Sequence, residues 1–294
     1  MTARQDSLNA SALAAKRDAL LNCLRGMQSV AVAFSGGIDS TVVAKAAFLA
    51  LGDKAIAVTA DSASVARSEL EDARRLAALI GIRHEVIPTE EFADPNYVRN
   101  DGSRCYFCKS ELYTQVERIA RALGVKFIVS GANLDDQGDY RPGLQAAAEH
   151  GIRHPLQESG FRKADVRSLA KHWELPTWDK PASPCLSSRL APGVTVTPER
   201  TERVEKAEAR LRELGLREFR VRLHEGELAR IEVPLDALPL LAQPEIRDGL
   251  AAYLKSLGFN FVTLDLEGFR SGSLNALIDL EQKRLYSTEK ETTA

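Results

Sequence analysis

The chain has 294 residues, of which 44% are hydrophobic and 27% are charged, so it is long enough for one large domain or two ordinary ones. Its formal net charge of −2 provides no overall positive field for nucleic acid, and no apolar run is long enough to span a bilayer. Four cysteines in a chain of this length do not make a disulfide framework. We therefore expect a cytoplasmic protein that begins with an amphipathic helix rather than a signal peptide.

The next predicted elements are a strand, a glycine turn and a helix. Val30–Phe34 is a short apolar run typical of a buried parallel strand, and apolar residues recur at helical spacing from Asp39 onward. The backbone amides of such a turn and of the helix N-terminus converge and carry partial positive charge, which suits a phosphate group. The string SGGIDS matches neither a Walker P-loop nor a dinucleotide fingerprint. It predicts a nucleotide phosphate site of another type.

Strands and helices continue to alternate up to about residue 130. The pattern predicts strands over 55–59, 84–87 and 126–130, with helices near 66–80 and 103–123. This alternation is typical of an α/β fold with a doubly wound, mostly parallel sheet. Asp61 and Ser62 follow the second strand, at the carboxyl edge of the sheet where ligands bind in open α/β folds.

A change of composition marks the end of this first domain. Residues 151–192 contain both tryptophans and several prolines and show little periodicity, so we interpret them as the transition between domains. A helix then begins after Thr197 and Pro198, followed by a hairpin over 219–233, a helix near 244–257 and a strand over 261–266. The expected domains are an α/β domain over 1–180, a cysteine loop over 181–197 and a small α+β domain over 198–294.

Three cysteines lie in segments that suggest chemistry. Cys105 and Cys108 stand at positions i and i+3 near a predicted helix start, so both sulfurs face one side. A single CxxC pair is compatible with a redox site, a zinc site or no function, and the sequence contains no second pair. Cys185 lies in a turn bounded by prolines, with Arg189 nearby to favour the thiolate. An inert loop cysteine is the alternative interpretation.

The predicted hairpin carries a charged face. Its apolar faces coincide only if Glu225-Gly226-Glu227 is a three-residue turn. This register places Arg220 opposite Glu232, a favourable pair, and Arg222 opposite Arg230, a like-charge pair that a bound anion would stabilise. A merely solvated charged face is the alternative. Glu208 interrupts the apolar stripe of the preceding helix, so we expect it near a ligand or paired with one of the arginines.

The motifs together carry a family resemblance. SGGIDS resembles the PP-loop of the ATP pyrophosphatases, which cleave ATP between the α and β phosphates and leave an adenylate on the substrate. The wider set is similar to the ATP-dependent sulfur transferases that mature the nickel-pincer cofactor of lactate racemase; it comprises SGGIDS, GANLDDQGDYRPG, DKPASPCLSSR, RVRLHEGELARIE and TLDLEGFRSGSLN. The resemblance implies a pyridinium biscarboxylic acid mononucleotide as the small-molecule substrate, with its carboxylates adenylated and then converted to thiocarboxylates.

The resemblance also assigns roles to residues. It implies that ATP is bound by Ser35, Gly36, Gly37, Asp39, Ser40, Asp61, Ser62 and Gly131. It places Mg²⁺ near Asp39, with Asp136 or Asp135 as a second candidate ligand. The residues implied in substrate binding are Ser188, Arg189, Glu208, Arg220, Arg222 and Arg230.

The resemblance leaves two sources of sulfur open. In one branch of the family the cysteine that aligns with Cys185 is sacrificed and becomes dehydroalanine. The additional Cys105 and Cys108 resemble the other branch, in which three cysteines hold a 4Fe-4S cluster with one open iron position, so we expect Cys105, Cys108 and Cys185 to hold a cluster that carries the sulfur. Further alternatives are a cluster-dependent tRNA thiolase and a non-catalytic ATP-binding or iron–sulfur scaffold. We expect a homo-oligomer that binds no nucleic acid, and the sequence does not identify the sulfide donor.

Overall fold

The computed structural model describes residues 2–137, 142–270 and 272–278. Its helices are α1 (Thr2–Met27), α2 (Ile38–Leu51), α3 (Arg67–Ile80), α4 (Pro95–Val98), α5 (Arg104–Ala122), α6 (Pro142–Glu149), α7 (Pro155–Glu158), α8 (Lys163–His172), α9 (Pro198–Glu213), α10 (Leu238–Ala242) and α11 (Pro244–Ser256). Its strands are β1 (Val30–Ala33), β2 (Ala55–Asp61), β3 (Arg83–Pro88), β4 (Phe127–Val129), β5 (Arg220–His224), β6 (Leu228–Glu232) and β7 (Phe261–Leu264). None of the described helices is long and apolar enough to cross a membrane.

The first sheet is parallel and has the strand order β3-β2-β1-β4. This confirms the predicted α/β fold. The two central strands are buried because helices cover both faces, which explains their uninterrupted apolar sequences. On one side the core includes Val32, Val42 and Leu76, and on the other it includes Ala31 and Val116. The carboxyl ends of all four strands therefore meet at one edge.

The segment read as an irregular transition contains two helices of the first domain. Helices α7 and α8 contact α1 and α2, and Leu156, Val166 and Leu169 are fully buried in the first core. Pro155 did not interrupt this structure because it occupies the first position of α7, where a proline is tolerated. The interpretation of 151–192 as wholly transitional was therefore wrong for residues 155–172.

The second sheet has the order β5-β6-β7, with β5 antiparallel and β7 parallel to β6. The three-residue turn is confirmed, and Gly226 adopts the left-handed φ of 70° that the turn requires. The predicted register is confirmed as well, because Arg220 lies opposite Glu232 and Arg222 opposite Arg230. Helices α9 and α11 cover the sheet, and Leu186 and Leu190 of the cysteine loop belong to the same core.

Candidate active site

The PP-loop connects β1 to α2 at the carboxyl edge of the first sheet. Gly36 has a φ of 70°, and a Cβ there would lie 3.2 Å from the backbone of Ala73 in α3. The hydroxyl of Ser40 donates to the carbonyl oxygen of Gly37 at 3.0 Å and lies 3.2 Å from the Ser35 hydroxyl. The loop is thus held in place by its own hydroxyls, while glycine permits its turn and its close contact with α3.

Gly131 lies against the same loop from the end of β4. A Cβ at residue 131 would be 2.7 Å from the backbone nitrogen of Ser40 and 2.9 Å from the carbonyl carbon of Asp39. Only glycine allows this approach of the two segments. The predicted ATP residues of β1, α2 and β4 are therefore brought together, although residues 138–141 of the GANLDDQGDYRPG loop lie outside the described residues.

Asp39 has two partners from outside the PP-loop. Its carboxylate forms an ion pair with Lys163 at the start of α8 and accepts a hydrogen bond from the Asn133 amide at 3.2 Å. The backbone amide of Asn133 donates to Asp136 at 2.9 Å, so Asn133 links the two predicted magnesium ligands. Asp135 instead pairs with Arg162 at 2.7 Å. Sequence reasoning missed Lys163 because nothing in the local pattern connects α8 with residue 39.

Asp61 and Ser62 are already engaged within the protein. Asp61 pairs with Arg67 at 2.6 Å, and the Ser62 hydroxyl donates to the Glu91 carboxylate at 2.6 Å. Ser62 and Glu91 line the large cavity described next, whereas Asp61 does not.

One cavity of about 630 Å³ extends from the PP-loop to the second domain. Ser35 and the ends of β1 and β2 form one end, and Arg189, Glu208 and Arg220 line the opposite wall. All three predicted site cysteines line the same cavity; they are Cys105, Cys108 and Cys185. Folding therefore gathers Ser35 of the PP-loop, the thiols and an arginine-rich wall around one space. The other predicted phosphate-binding residues are not among those that line it; they are Gly36, Gly37, Asp39, Ser40 and Gly131.

The two cysteine segments are joined by polar contacts between the domains. Arg104, at the start of α5, donates to the carbonyl oxygen of Ser187 at 2.6 Å, and the buried Tyr97 hydroxyl contacts the Ser187 hydroxyl at 2.6 Å. Burial raises the pKa of the Cys108 thiol, and the neighbouring Cys185 raises it further. A thiolate at Cys108 therefore needs positive charge beside it. Among the described residues, no group of three or more His, Cys, Asp or Glu side chains is placed to hold a metal ion.

The second wall contains a buried ion pair. Arg189 and Glu208 make two parallel contacts of 3.0 and 3.1 Å, and Glu208 also accepts the backbone amide of Val221 at 3.1 Å. Arg189 donates to the carbonyl oxygen of Cys185 at 3.1 Å, while the Ser188 hydroxyl donates to the same carbonyl at 2.6 Å. These contacts fix the shape of the cysteine loop.

The hairpin arginines divide into two groups. Arg220 lines the cavity, donates to the carbonyl oxygen of Ala182 at 2.6 Å and stacks on Phe269, and burial together with the nearby Arg189 lowers its pKa to about 10. The expected ion pair with Glu232 is therefore wrong, although the register is right. Glu232 turns instead to the other two arginines.

Arg222 and Arg230 are not among the residues that line the cavity. Glu232 is fully buried, and its two oxygens accept from Arg222 and Arg230 at 3.0 Å each. The chain itself supplies the anion that we expected between these like charges. Arg222 also donates to the carbonyl oxygen of Ser188 at 3.2 Å, which connects it to the cysteine loop.

Comparison with known proteins extends this description. Residues 14–100 match the asparagine synthase family. The pyridinium-3,5-bisthiocarboxylic acid mononucleotide synthase of Lactiplantibacillus plantarum is 40% identical over 264 residues, which are 90% of this chain and 95% of that protein. An uncharacterised protein of Synechocystis is 49% identical over 247 residues, 84% of this chain and 92% of that one. A tRNA-specific 2-thiouridylase of Azorhizobium caulinodans is 32% identical over 193 residues, covering 52% of this chain and 49% of the relative.

Proposed function

Because this chain belongs to the family of pyridinium-3,5-bisthiocarboxylic acid mononucleotide synthases, we propose that it performs the ATP-dependent sulfur insertion that makes such a product. A ring carboxylate attacks the α phosphate of ATP, pyrophosphate leaves, and a sulfur nucleophile then displaces AMP from the acyl carbon. Two rounds convert both carboxylates to thiocarboxylates. The observation that carries the proposal is the single cavity in which the PP-loop, three cysteines and an arginine-rich wall meet.

The ATP half-reaction is assigned to the PP-loop edge. We propose that Ser35, Gly36, Gly37, Ser40 and Gly131 hold the phosphates, since preorganised amides and hydroxyls suit an anion. Asp39 and Asp136 offer the carboxylate oxygens that Mg²⁺ prefers, with Lys163 beside Asp39 to offset their charge. Asp61 and Ser62, at the end of β2, are assigned to the nucleoside side.

The charge of the cavity supports an anionic substrate. Five lining cations have no acidic partner among the described residues; they are Arg104, Lys109, Arg212, Arg217 and Arg220. We assign the phosphate and carboxylates of the substrate to Arg220, with Arg189, Glu208 and Ser188 shaping the wall beside it. Arg222 and Arg230 do not line the cavity and act as positioning residues, because Glu232 and Asp265 already pair with them.

Three cysteines from two separate segments line one cavity, which is one thiol fewer than the four that an ordinary 4Fe-4S cluster takes. We propose that Cys105, Cys108 and Cys185 hold a 4Fe-4S cluster, which supplies inorganic sulfide when bound. The chain itself contributes the thiols and the cations beside them.

The alternative for the same reaction uses Cys185 alone. Its thiolate would attack the acyl-adenylate, release AMP and form a thioester. Loss of the Cα proton with cleavage of the Cβ–S bond would then release the thiocarboxylate and leave dehydroalanine. The partial similarity to a tRNA-specific 2-thiouridylase keeps tRNA thiolation as a competing activity, and that similarity covers only 52% of the chain. A non-catalytic ATP-binding or iron–sulfur scaffold is the third alternative.

A product assay tests the proposal. Protein reconstituted without oxygen is mixed with ATP, Mg²⁺, sulfide and a pyridinium-3,5-dicarboxylic acid mononucleotide, and pyrophosphate and product mass are followed. We expect pyrophosphate release that depends on the pyridinium substrate and one oxygen-to-sulfur exchange per carboxylate. Pyrophosphate release that is independent of this substrate, or that requires tRNA, would contradict it.

We also propose that the protein works in the cytoplasm as a homo-oligomer. All four cysteines are free, as expected where thiols stay reduced. Phe261 on the edge strand β7 and Leu266 beyond it are 60% and 83% exposed, which suits a contact with another copy. Mass photometry of the full chain tests this, and a monomer at every concentration would contradict it.

A further inference from the structure

Four acidic side chains of the described residues line the cavity, and one of the four has no cationic partner within that part of the chain. The three that are neutralised are Glu69 and Asp72, which share the ammonium of Lys180, and Glu208, which pairs with Arg189. The fourth is Glu91. It has no cationic partner among the described residues, although it is only 3% exposed.

One oxygen of the Glu91 carboxylate is hydrogen-bonded, and the other is unpaired. Its Oε1 accepts the hydroxyls of Ser62 and Ser64 at 2.6 and 2.8 Å, and both serines follow β2. Its Oε2 is buried and has no hydrogen-bond partner. Because an unpaired buried carboxylate oxygen is unfavourable, its retention in a ligand cavity points to a partner that the ligand supplies.

Glu91 stands at the end of the cavity where sulfur is transferred. The short 3-10 helix Glu91–Ala93 contacts α5, which carries Cys105 and Cys108, and α4, which carries Tyr97, and Glu91 lines the same cavity as the cysteines. An acyl-adenylate must be held within about 3–3.5 Å of its sulfur nucleophile. The ring that carries the acyl group therefore lies near the cysteines and near Glu91.

We propose, on the basis of the proposed function, that Glu91 recognises the positive charge of the pyridinium ring and makes the site selective for the cationic ring. The ring nitrogen is quaternary because it carries the ribose, so its charge is permanent and it has no proton to donate. A carboxylate attracts such a ring by charge alone, and the attraction is strong at a site shielded from water. A neutral 1,4-dihydropyridine ring of the same shape would leave Glu91 unpaired.

A binding experiment with two ring forms tests this inference. Calorimetry on the full chain compares a pyridinium carboxylic acid mononucleotide with its 1,4-dihydropyridine form, and ATP is titrated separately. We expect the wild-type protein to bind the pyridinium form at least about tenfold more tightly. Glu91→Gln should lose this preference and keep its affinity for ATP. Glu69→Gln is the matched control, since it removes an acid of the same cavity that is already paired, and it should retain the preference.

The outcomes separate this inference from the proposed function. If the wild-type protein binds both ring forms equally, or if Glu91→Gln weakens both forms or ATP to the same extent, the inference is overturned while the proposed function stands. If the wild-type protein binds neither ring form, both are overturned. Should Glu91→Gln fail to fold, the wild-type comparison together with Glu91→Asp, which keeps the charge, still decides the question.

Discussion

Arg189 and Glu208 form a two-point ion pair that joins the cysteine loop to helix α9. The two contacts measure 3.0 and 3.1 Å, and the side chains are only 4% and 7% exposed. Arg189 reaches the carbonyl oxygen of Cys185, and Glu208 reaches the amide of Val221 in β5. The pair therefore sets the position of Cys185 relative to the substrate wall.

Glu208→Gln should destabilise the protein strongly, because it leaves the Arg189 guanidinium buried without a counter-ion. We expect a loss of about 3–5 kcal/mol in the free energy of unfolding, measured by urea titration. Glu202→Gln in the same helix is the control. Its partner Lys206 is exposed, so this change should leave the free energy of unfolding close to that of the wild-type protein. Equal losses in the two variants would show that the buried pair contributes little.

Much of the fold follows from local sequence patterns. The alternation of apolar runs and helical periods predicts the parallel sheet, and Gly36 and Gly226 mark turns whose φ is positive in the structure. The hairpin register follows from matching two apolar faces, which is a property of neighbouring residues. These predictions succeed because each depends on residues close together in sequence.

Long-range charge pairing could not be predicted in the same way. The partners Asp39 and Lys163 are separated by more than a hundred residues. Whether Glu232 forms its ion pair with Arg222 or with Arg220 depends on the direction in which the side chains point. Glu91 carries no local signal either, since an acidic residue after a strand is ordinarily solvated. Its importance appears only when the cavity shows that it is buried with one unpaired oxygen.

Two neighbouring arginines of β5 should give opposite phenotypes. Arg220→Ala should raise the KM for the pyridinium substrate, because it removes a cavity cation that is bound mainly to backbone carbonyls, while the free energy of unfolding changes by about 1 kcal/mol. Arg222→Ala should lower the free energy of unfolding by about 1.5–3 kcal/mol, because it removes charge-assisted hydrogen bonds to the buried Glu232, which keeps Arg230 and the Ser273 hydroxyl as partners. Steady-state kinetics and urea unfolding separate the effects. A KM change with unaltered stability in Arg222→Ala would contradict this division.

Gly131→Ala should impair the ATP half-reaction without unfolding the protein. The added methyl group would lie 2.7 Å from the Ser40 nitrogen and would push the PP-loop aside. A displacement of about 1 Å can cost about a hundredfold in rate, so substrate-dependent pyrophosphate release should fall by that order. Gly249→Ala in α11 is the control, since nothing lies within 4 Å of a Cβ there. Unchanged pyrophosphate release in Gly131→Ala would contradict the assignment of residue 131 to the phosphate site.

The three cavity cysteines should act as one iron-binding site, whereas the fourth cysteine should not. Cys105→Ala, Cys108→Ala and Cys185→Ala should each lower the iron and sulfide retained after anaerobic reconstitution, together with the visible absorption of the cluster. Cys23→Ala is the control, because Cys23 donates to Glu158 at 3.3 Å in the first domain and burial raises its pKa to about 11. Mass spectrometry after one turnover gives an independent readout. If none of these four variants retains iron, and Cys185 is the one cysteine that loses the mass of H₂S where it is present, the sacrificial route is correct and the cluster proposal is wrong.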